Sequence, residues 1–224
     1  MNNFIISIIY LLCSFSFTIF CYKKFGKYGL FIWMMLSVII CNIQTVKLSE
    51  ICGFVTSLGN VSYGAVFLTS DILSEKYGKD ECMKAIWFSF IGMLVFTVLM
   101  SLFLLYIPSS SDTSQQAFMT IFSYLPRITI ASMVSYLVSQ TLDTHLYQFF
   151  KRKFNKIWIS NNASTLISQF VDTILFTMIS FFGVLSFFEL VELMLTMILF
   201  KWIIAIIDTP FMMMASKMKV DVAW

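Results

Sequence analysis

The sequence has little charge. Only 12% of its 224 residues are Asp, Glu, Lys or Arg, whereas a soluble domain carries about 25%. Hydrophobic residues make up 59% of the chain, so a soluble fold would lack the polar surface needed to cover its own core. This composition predicts an all-α polytopic integral membrane protein, with a single transmembrane domain over residues 1–224.

Several residue types are too scarce or too scattered for other kinds of protein. With 3 prolines and 8 glycines, the chain is neither collagen-like nor of low complexity. A single histidine excludes histidine-ligated metal centres, and no glycine-rich phosphate loop or G-x-S-x-G motif occurs. The five cysteines form no C-x-x-C pair, so neither a disulfide framework nor a thiolate metal site is predicted. We therefore expect no enzyme, no cofactor, no metal and no nucleic-acid partner.

Seven apolar runs bounded by charge predict about seven transmembrane helices, because a helix crosses the hydrocarbon core in about 20 residues. The runs cover residues 3–21, 29–46, 60–73, 85–107, 118–142, 158–183 and 190–214. The third run is the shortest. The segment before it, residues 47–59, alternates weakly and predicts a short hairpin or a re-entrant stretch.

The positions of the cationic residues predict the orientation. Most of the 15 Lys and Arg residues lie in alternate connections and in the C-terminal tail, as the positive-inside rule requires. The amino terminus is therefore predicted outside and the carboxyl terminus in the cytoplasm. The first run has no cationic segment before it and is too long for a signal peptide. The residues that set this pattern are Lys23, Lys24, Lys27, Lys76, Lys79, Lys84, Lys151, Arg152, Lys153, Lys156, Lys217 and Lys219.

Polar side chains inside the predicted spans are concentrated in the C-terminal half of the chain. Such groups are costly in the bilayer interior and usually mark a functional site. The hexapeptide S-Q-x-x-D-T occurs twice, at residues 139–144 and 168–173, on consecutive spans of opposite direction. Many transporters build a midplane binding site from inverted polar half-sites, although a chance match remains an alternative. These features favour a small carrier over a channel or an enzyme.

Structural interpretations of the same polar residues stay open at this point. Stripes of Ser and Thr also form helix–helix packing surfaces. Arg127 either neutralises Asp172 or Asp208 as a structural pair or contacts a substrate. The same choice applies to Lys201 and Asp208, which lie seven residues apart on one predicted helix.

Four ordered motifs are similar to those of one known family. Residues 68–78 resemble its "TDILNE-YG" signature, and residues 126–132 resemble its "PR-x-x-x-AS" segment. Residues 138–143 resemble "SQ-x-x-D", and residues 158–173 resemble "W-x-RNN-x-ST-x-x-SQ-x-x-DT". On these motifs the chain resembles the YhhQ-type queuosine precursor transporters, also called the vitamin uptake-like transporter family, over about residues 29–214.

The chain departs from the family pattern at three places. Ser160 stands where the family has an Arg before the paired Asn, and Ser74 stands where it has an Asn. Many relatives have six spans and lack an equivalent of residues 3–21. We therefore expect six core helices plus one N-terminal helix that is an accessory element.

The resemblance implies import of 7-deazaguanines such as 7-cyano-7-deazaguanine across the bacterial plasma (inner) membrane, for salvage into tRNA queuosine. A guanine-like edge offers N–H donors that a carboxylate accepts in a charge-assisted pair, and its flat ring stacks on an aromatic side chain. The expected partners are this substrate and the lipid bilayer, with a homodimer left open. The expected substrate-binding residues are Asp172, Asp143, Gln140, Gln169, Asn162, Tyr63 and Asp71, and those expected for charge balance or gating are Arg127, Lys201 and Asp208.

The competing function is that of a membrane substrate-binding subunit in an energy-coupled vitamin or nucleobase uptake system. Such subunits dock on their coupling module through helix faces made of small residues. The first run, residues 3–21, contains no Ala or Gly, which argues against this alternative. Transport in cells that lack any coupling module would separate the two functions.

The orientation is tested by labelling single cysteines in a variant without native cysteines. Cysteines that replace Lys24, Lys79 or Lys153 should be protected from an impermeant thiol reagent added outside, because the positive-inside rule places them in the cytoplasm. A cysteine that replaces Ser110 should be labelled. The reverse pattern would contradict the predicted orientation.

Overall fold

The computed structural model describes residues 3–154 and 157–220, apart from a number of side chains within the helices. The chain divides into two compact units, one formed by residues 1–126 with residues 199–224 and the other by residues 127–198. The elements in chain order are α1 (Asn3–Gln44), β1 (Leu48–Ile51), β2 (Phe54–Ser57), α2 (Leu58–Tyr77), α3 (Lys79–Phe103), α4 (Gln115–Phe122), α5 (Leu125–Phe154), α6 (Ile157–Phe181) and α7 (Phe187–Lys217).

α1 consists of two helices folded back on each other. Its 42 residues would span about 63 Å if straight, twice the hydrocarbon thickness. Gly26 breaks the helix with φ 57° and ψ −137°, a conformation that a residue with a Cβ rarely adopts. Beyond it the chain returns, so that Trp33 Nε1 donates to Thr18 Oγ1 at 2.8 Å. The first two predicted runs are therefore the two halves of one helical hairpin.

The segment after α1 forms a β-hairpin, one of the two structures that its weak alternation predicted. β1 and β2 pair antiparallel. Cys52 and Gly53 make the turn with φ values of 55° and 84°, because a two-residue hairpin turn needs positive φ to match the twist of the strands. Asn3 Nδ2 donates to the Glu50 carbonyl at 2.8 Å, which joins the hairpin to the start of α1.

The helical membrane class is confirmed. Among the described residues, four helical stretches are long and apolar enough to cross a membrane, namely Asn3–Gln44, Lys79–Phe103, Gln115–Ser139 and Phe187–Lys217. A shorter apolar helix covers Leu166–Phe181. α2, which contains the third predicted span, is not among the four. The number of seven spans and the orientation of the termini stay predictions.

The first half of α1 is part of the core of the first unit, in contrast to the accessory role expected for it. Large side chains from both halves of α1 and from α2 are fully or almost fully buried together. They include Leu11, Phe15, Tyr22, Leu30, Met34, Leu68, Ile72 and Leu73. A chain shortened to about residues 29–214 would therefore lose part of this core.

A turn at Ser123 and Tyr124 separates α4 from α5 inside the fifth predicted run. Pro126 is the second residue of α5. Proline is tolerated in a first turn, because the N–H it lacks has no partner there. The prediction of one continuous helix over residues 118–142 missed this turn, although Pro126 was the signal that could have placed it.

Gly59 allows α2 to begin in contact with α1, which makes it a test of the packing. A Cβ added at Gly59 would lie 2.7 Å from the carbonyl oxygen of Cys41 and 2.9 Å from Cα of Thr45. Both are backbone atoms that cannot move alone. Gly59→Ala should therefore cost roughly 1–3 kcal/mol, the usual penalty of overpacking, measured as a lower unfolding temperature of the purified protein in detergent.

Gly92→Ala is the matched control. A Cβ there meets the thioether of Met35, which is the flexible end of a side chain and can rotate away. It should lose much less stability than Gly59→Ala. An equal loss in the two variants would show that contact with the α1 backbone is not what requires glycine at position 59.

Candidate functional site

The predicted site residues belong to both units. The first unit contains Tyr63, Asp71, Lys201 and Asp208, and the second contains Arg127, Gln169 and Asp172. The side chains of Gln140, Asp143 and Asn162 lie outside the described residues. Their assignment to substrate binding therefore stays a prediction.

In the second unit, the two copies of the hexapeptide repeat meet. The hydroxyl of Ser139 on α5 lies 3.3 Å from Oδ1 of Asp172 on α6. The same hydroxyl lies 3.1 Å from the carbonyl oxygen of Tyr136, and it has a single hydrogen to share between them. The repeat thus brings the serine of its first copy to the aspartate of its second, as an inverted pair of half-sites would.

Gln169 supplies a buried acceptor that the described residues do not satisfy. Its Oε1 is inaccessible to solvent and has no hydrogen-bond partner among them. The hydroxyl of Thr173 donates to the backbone carbonyl of Gln169 at 2.9 Å and so leaves the side-chain amide unaffected. A buried acceptor without a donor costs about 1–3 kcal/mol. Gln169 and Asp172 are three residues apart on one face of α6, so the helix presents two acceptors side by side.

Arg127 holds the end of α6. Its Nε donates to the carbonyl of Ile179 at 2.6 Å, and its Nη2 donates to the carbonyl of Phe182. The last carbonyls of a helix have no partner within the helix and attract a cation. Sequence reasoning considered only carboxylates and substrate as partners of Arg127. It missed this role because a backbone carbonyl has no signature in the sequence.

In the first unit, side chains of α2 contact α7 at two levels. Near the start of this contact, Nζ of Lys201 lies 5.9 Å from the centre of the Tyr63 ring, within the range of a cation–π interaction. Near its end, Nζ of Lys76 donates to the carbonyl of Ser216. Earlier residues of α2 thus meet earlier residues of α7, and later residues meet later ones.

The carboxyl groups of Asp71 and Asp208 lie between these two contacts and interact electrostatically with each other. Asp208 is only 5% exposed and Lys201 only 6%, whereas Asp71 is exposed. Lys201 and Asp208 are two turns apart on α7, about 10 Å along its axis. The first unit therefore contains an ammonium group over an aromatic ring and, at a separate level, a pair of carboxyl groups.

The fold and these side chains define a polytopic helical membrane protein with polar groups in its interior. A family described as "Putative vitamin uptake transporter" matches residues 57–215, and the chain belongs to this family. The resemblance found in the motifs is thereby confirmed.

Two curated proteins are similar to the chain. The "Probable queuosine precursor transporter" of Bacillus subtilis (strain 168) is 40% identical over 200 residues, which cover 88% of this chain and 87% of that protein. The "Queuosine precursor transporter" of Escherichia coli (strain K12) is 30% identical over 133 residues, which cover 59% of this chain and 58% of that protein. No solved structure matches the chain.

Arg127→Gln tests the contact with the end of α6. The variant loses a cation from carbonyls that need donors, and hydrogen bonds to charged groups are worth about 1.5–3 kcal/mol. We expect a lower unfolding temperature and less protein in the membrane. Arg152→Gln, at an exposed arginine of α5, should leave both measurements unchanged.

The combination of Arg127→Gln with Asp172→Asn separates a helix-end contact from an ion pair. If Arg127 stabilises carbonyls, removal of the Asp172 charge does not restore the lost donors, so the double variant stays as unstable as Arg127→Gln. Recovery of membrane abundance in the double variant would instead show that Arg127 mainly neutralises Asp172.

Proposed function

We propose that the protein imports queuosine precursors, 7-deazaguanines such as 7-cyano-7-deazaguanine, across the bacterial plasma membrane. The observation that carries this proposal is the 40% identity to a protein named as a queuosine precursor transporter, which extends over most of both chains. The family match over residues 57–215 supports transport rather than catalysis.

The acceptors on α6 suit the chemistry of such a substrate. A 7-deazaguanine presents N1–H and an exocyclic NH2 on one edge, which the carboxylate of Asp172 accepts as two charge-assisted bonds. A further N–H of the ring system finds an acceptor in Oε1 of Gln169, which lacks a donor within the described residues. Hydrogen bonds are stronger in a site from which water is excluded.

The same arrangement selects against purines with an adenine-like edge. Such an edge presents a ring-nitrogen lone pair where a guanine-like edge presents N1–H, so that acceptor would face acceptor. Discrimination of this kind is strong, because the buried polar groups of the site are left unpaired with the wrong ligand. We therefore propose that the site selects guanine-like deazapurines.

Uptake into cells tests the proposed function directly. The cells should lack both queuosine synthesis and any energy-coupling transport module, and the measurement is queuosine in tRNA after addition of a labelled precursor. Appearance of queuosine only when the full chain is expressed supports transport by this protein alone. Salvage that requires an ATPase module would instead identify it as a substrate-binding subunit.

Asp172→Asn should weaken salvage without removing the protein from the membrane. The substitution keeps the volume and one acceptor oxygen but removes a charge-assisted bond worth about 1.5–3 kcal/mol, a roughly ten- to hundredfold loss of affinity. Salvage at a limiting precursor concentration is measured beside membrane abundance. Normal salvage in both Asp172→Asn and Asp143→Asn would rule out these aspartates as acceptors of the purine edge.

Gln169→Met should separate binding from stability. In the free protein the substitution removes a buried oxygen without a donor, so the unfolding temperature should stay equal or rise. Precursor uptake should nevertheless fall several-fold, because the acceptor for the ligand is gone. Gln116→Met, at an exposed glutamine of α4, is the control. A loss of both stability and uptake at position 169 would indicate a structural role instead.

A further inference from the structure

The carboxyl group of Asp208 lacks the partners that a buried carboxylate needs. Asp208 is 5% exposed. Among the side chains that the structure describes, its carboxyl group interacts with that of Asp71, and no hydrogen-bond donor to it is found. An ionised carboxylate is stable in such surroundings only when it is paired. Among the described residues, the charged group with which it interacts is another acid, so a positive charge must come from elsewhere.

Contacts between α2 and α7 on both sides of the two acids support their placement near each other. Gly64 directly follows Tyr63 on α2, on the side toward Asp71. A Cβ added to it would lie 2.8 Å from Cγ2 of Ile204. Glycine thus leaves room for side chains of α7 and α1 against this face of α2. At the other end of the contact, Nζ of Lys76 donates to the carbonyl of Ser216. The register of the two helices is therefore fixed on both sides of the acid pair.

Lys201 does not explain how the two carboxyl groups are neutralised. It is two turns from Asp208 on the same helix, and its ammonium lies over the ring of Tyr63. A metal ion is also a poor candidate, because hard cations need several oxygen ligands. Within the described residues, no group of three or more His, Cys, Asp and Glu side chains could hold a metal ion. A proton needs only one carboxyl oxygen.

We propose that Asp71, instead of contacting the substrate, forms a proton site with Asp208, and that one proton enters the cell with each precursor molecule. This inference rests on the proposed import function and adds its energy source. A proton from the outer solution binds one carboxylate oxygen of the pair and forms a neutral carboxyl group. The same O–H bond breaks when the site opens to the cytoplasm, and the carboxylate is restored. No other co-reactant takes part.

α7 is weakened next to this site. Pro210 lies inside the helix, two residues after Asp208. It has no N–H to donate to the carbonyl four residues earlier, that of Ile206, and a proline at such a position bends a helix. Protonation of Asp208 therefore changes the charge on the part of α7 where its hydrogen bonding is interrupted.

Other titratable groups come close to the pair. Cys82 of α3 interacts electrostatically with Asp71, and its Sγ lies 3.5 Å from the carbonyl oxygen of Ser70. Lys201 and Tyr63 lie about two turns away on α7 and α2, and Cys41 of α1 interacts with Lys201. Asp71 and Asp208 are the only carboxyl groups among these neighbours, so they are the groups to replace.

The test uses the full-length protein reconstituted in phospholipid vesicles, with the membrane potential held at zero by potassium and valinomycin. The probe is radiolabelled 7-cyano-7-deazaguanine, which has no cationic group of its own. One assay measures exchange of labelled for unlabelled precursor at equal pH. The other measures accumulation when the outside is one pH unit more acidic than the inside. One proton per precursor predicts an accumulation of about tenfold.

Asp208→Asn should keep exchange but lower the accumulation ratio from about tenfold to about one, because the amide cannot release a proton. Asp71→Asn, at an exposed position, should have the same effect on exchange and accumulation. It provides the test if Asp208→Asn fails to fold. Glu75→Gln, one turn after Asp71 and also exposed, is the matched control and should accumulate the precursor as the unchanged protein does.

The outcomes separate the two proposals. Absence of exchange by the unchanged protein overturns the import function and the coupling with it. Exchange with an accumulation ratio of one, or accumulation driven by sodium instead of acid, overturns proton coupling and leaves import intact. Tenfold accumulation by both aspartate variants overturns the assignment of the site.

Discussion

The structure depends on one constraint, which is that polar groups in a bilayer must find their partners within the protein. Many of the hydroxyl groups that the structure describes meet this requirement within their own helix. Thr69, Ser89 and Thr97 each donate to the carbonyl four residues earlier on their own helix, at 2.6 to 2.8 Å. These side chains need nothing from a neighbouring helix or a ligand, so their presence in an apolar helix does not mark a site.

Among the described residues, the polar groups that are not satisfied within their own helix are the more informative ones. Ser139 reaches from α5 to Asp172 on α6, and Arg127 reaches the carbonyls at the end of α6. Oε1 of Gln169 and the carboxyl group of Asp208 lack donors among the described residues. The first two are explained by the fold. The last two call for a ligand, and we assign the precursor to one and the proton to the other.

Local features of this protein could be predicted from sequence, because their causes lie within a few residues. The charged connection around Gly26 marked the reversal of α1, and the weak alternation of residues 47–59 marked the hairpin. Contacts between distant segments could not be predicted. Arg127 meets backbone atoms, which are the same in every residue. The alignment of α2 with α7 depends on Gly64 and on the contact of Lys76 with the backbone carbonyl of Ser216, 140 residues later.

The assignment of these polar residues to a site stays a prediction, and the folded chain adds their arrangement. The motifs identified Gln169, Asp172, Asp71 and Asp208 together, since all four are polar residues in apolar surroundings. Nothing in their spacing showed that the first two lie in one compact unit and the last two in the other. That division became visible only from the folded chain.

The connection between α2 and α3 has a mechanical consequence. α2 ends at Tyr77 and α3 begins at Lys79, so Gly78, with φ 87° and ψ 164°, is the whole linker. One residue spans less than 4 Å and provides no slack. If α2 slides along its axis by even a single helical turn, about 5.4 Å, the start of α3 must travel with it. The two helices can then tilt about Gly78, but along their axes they move as one body.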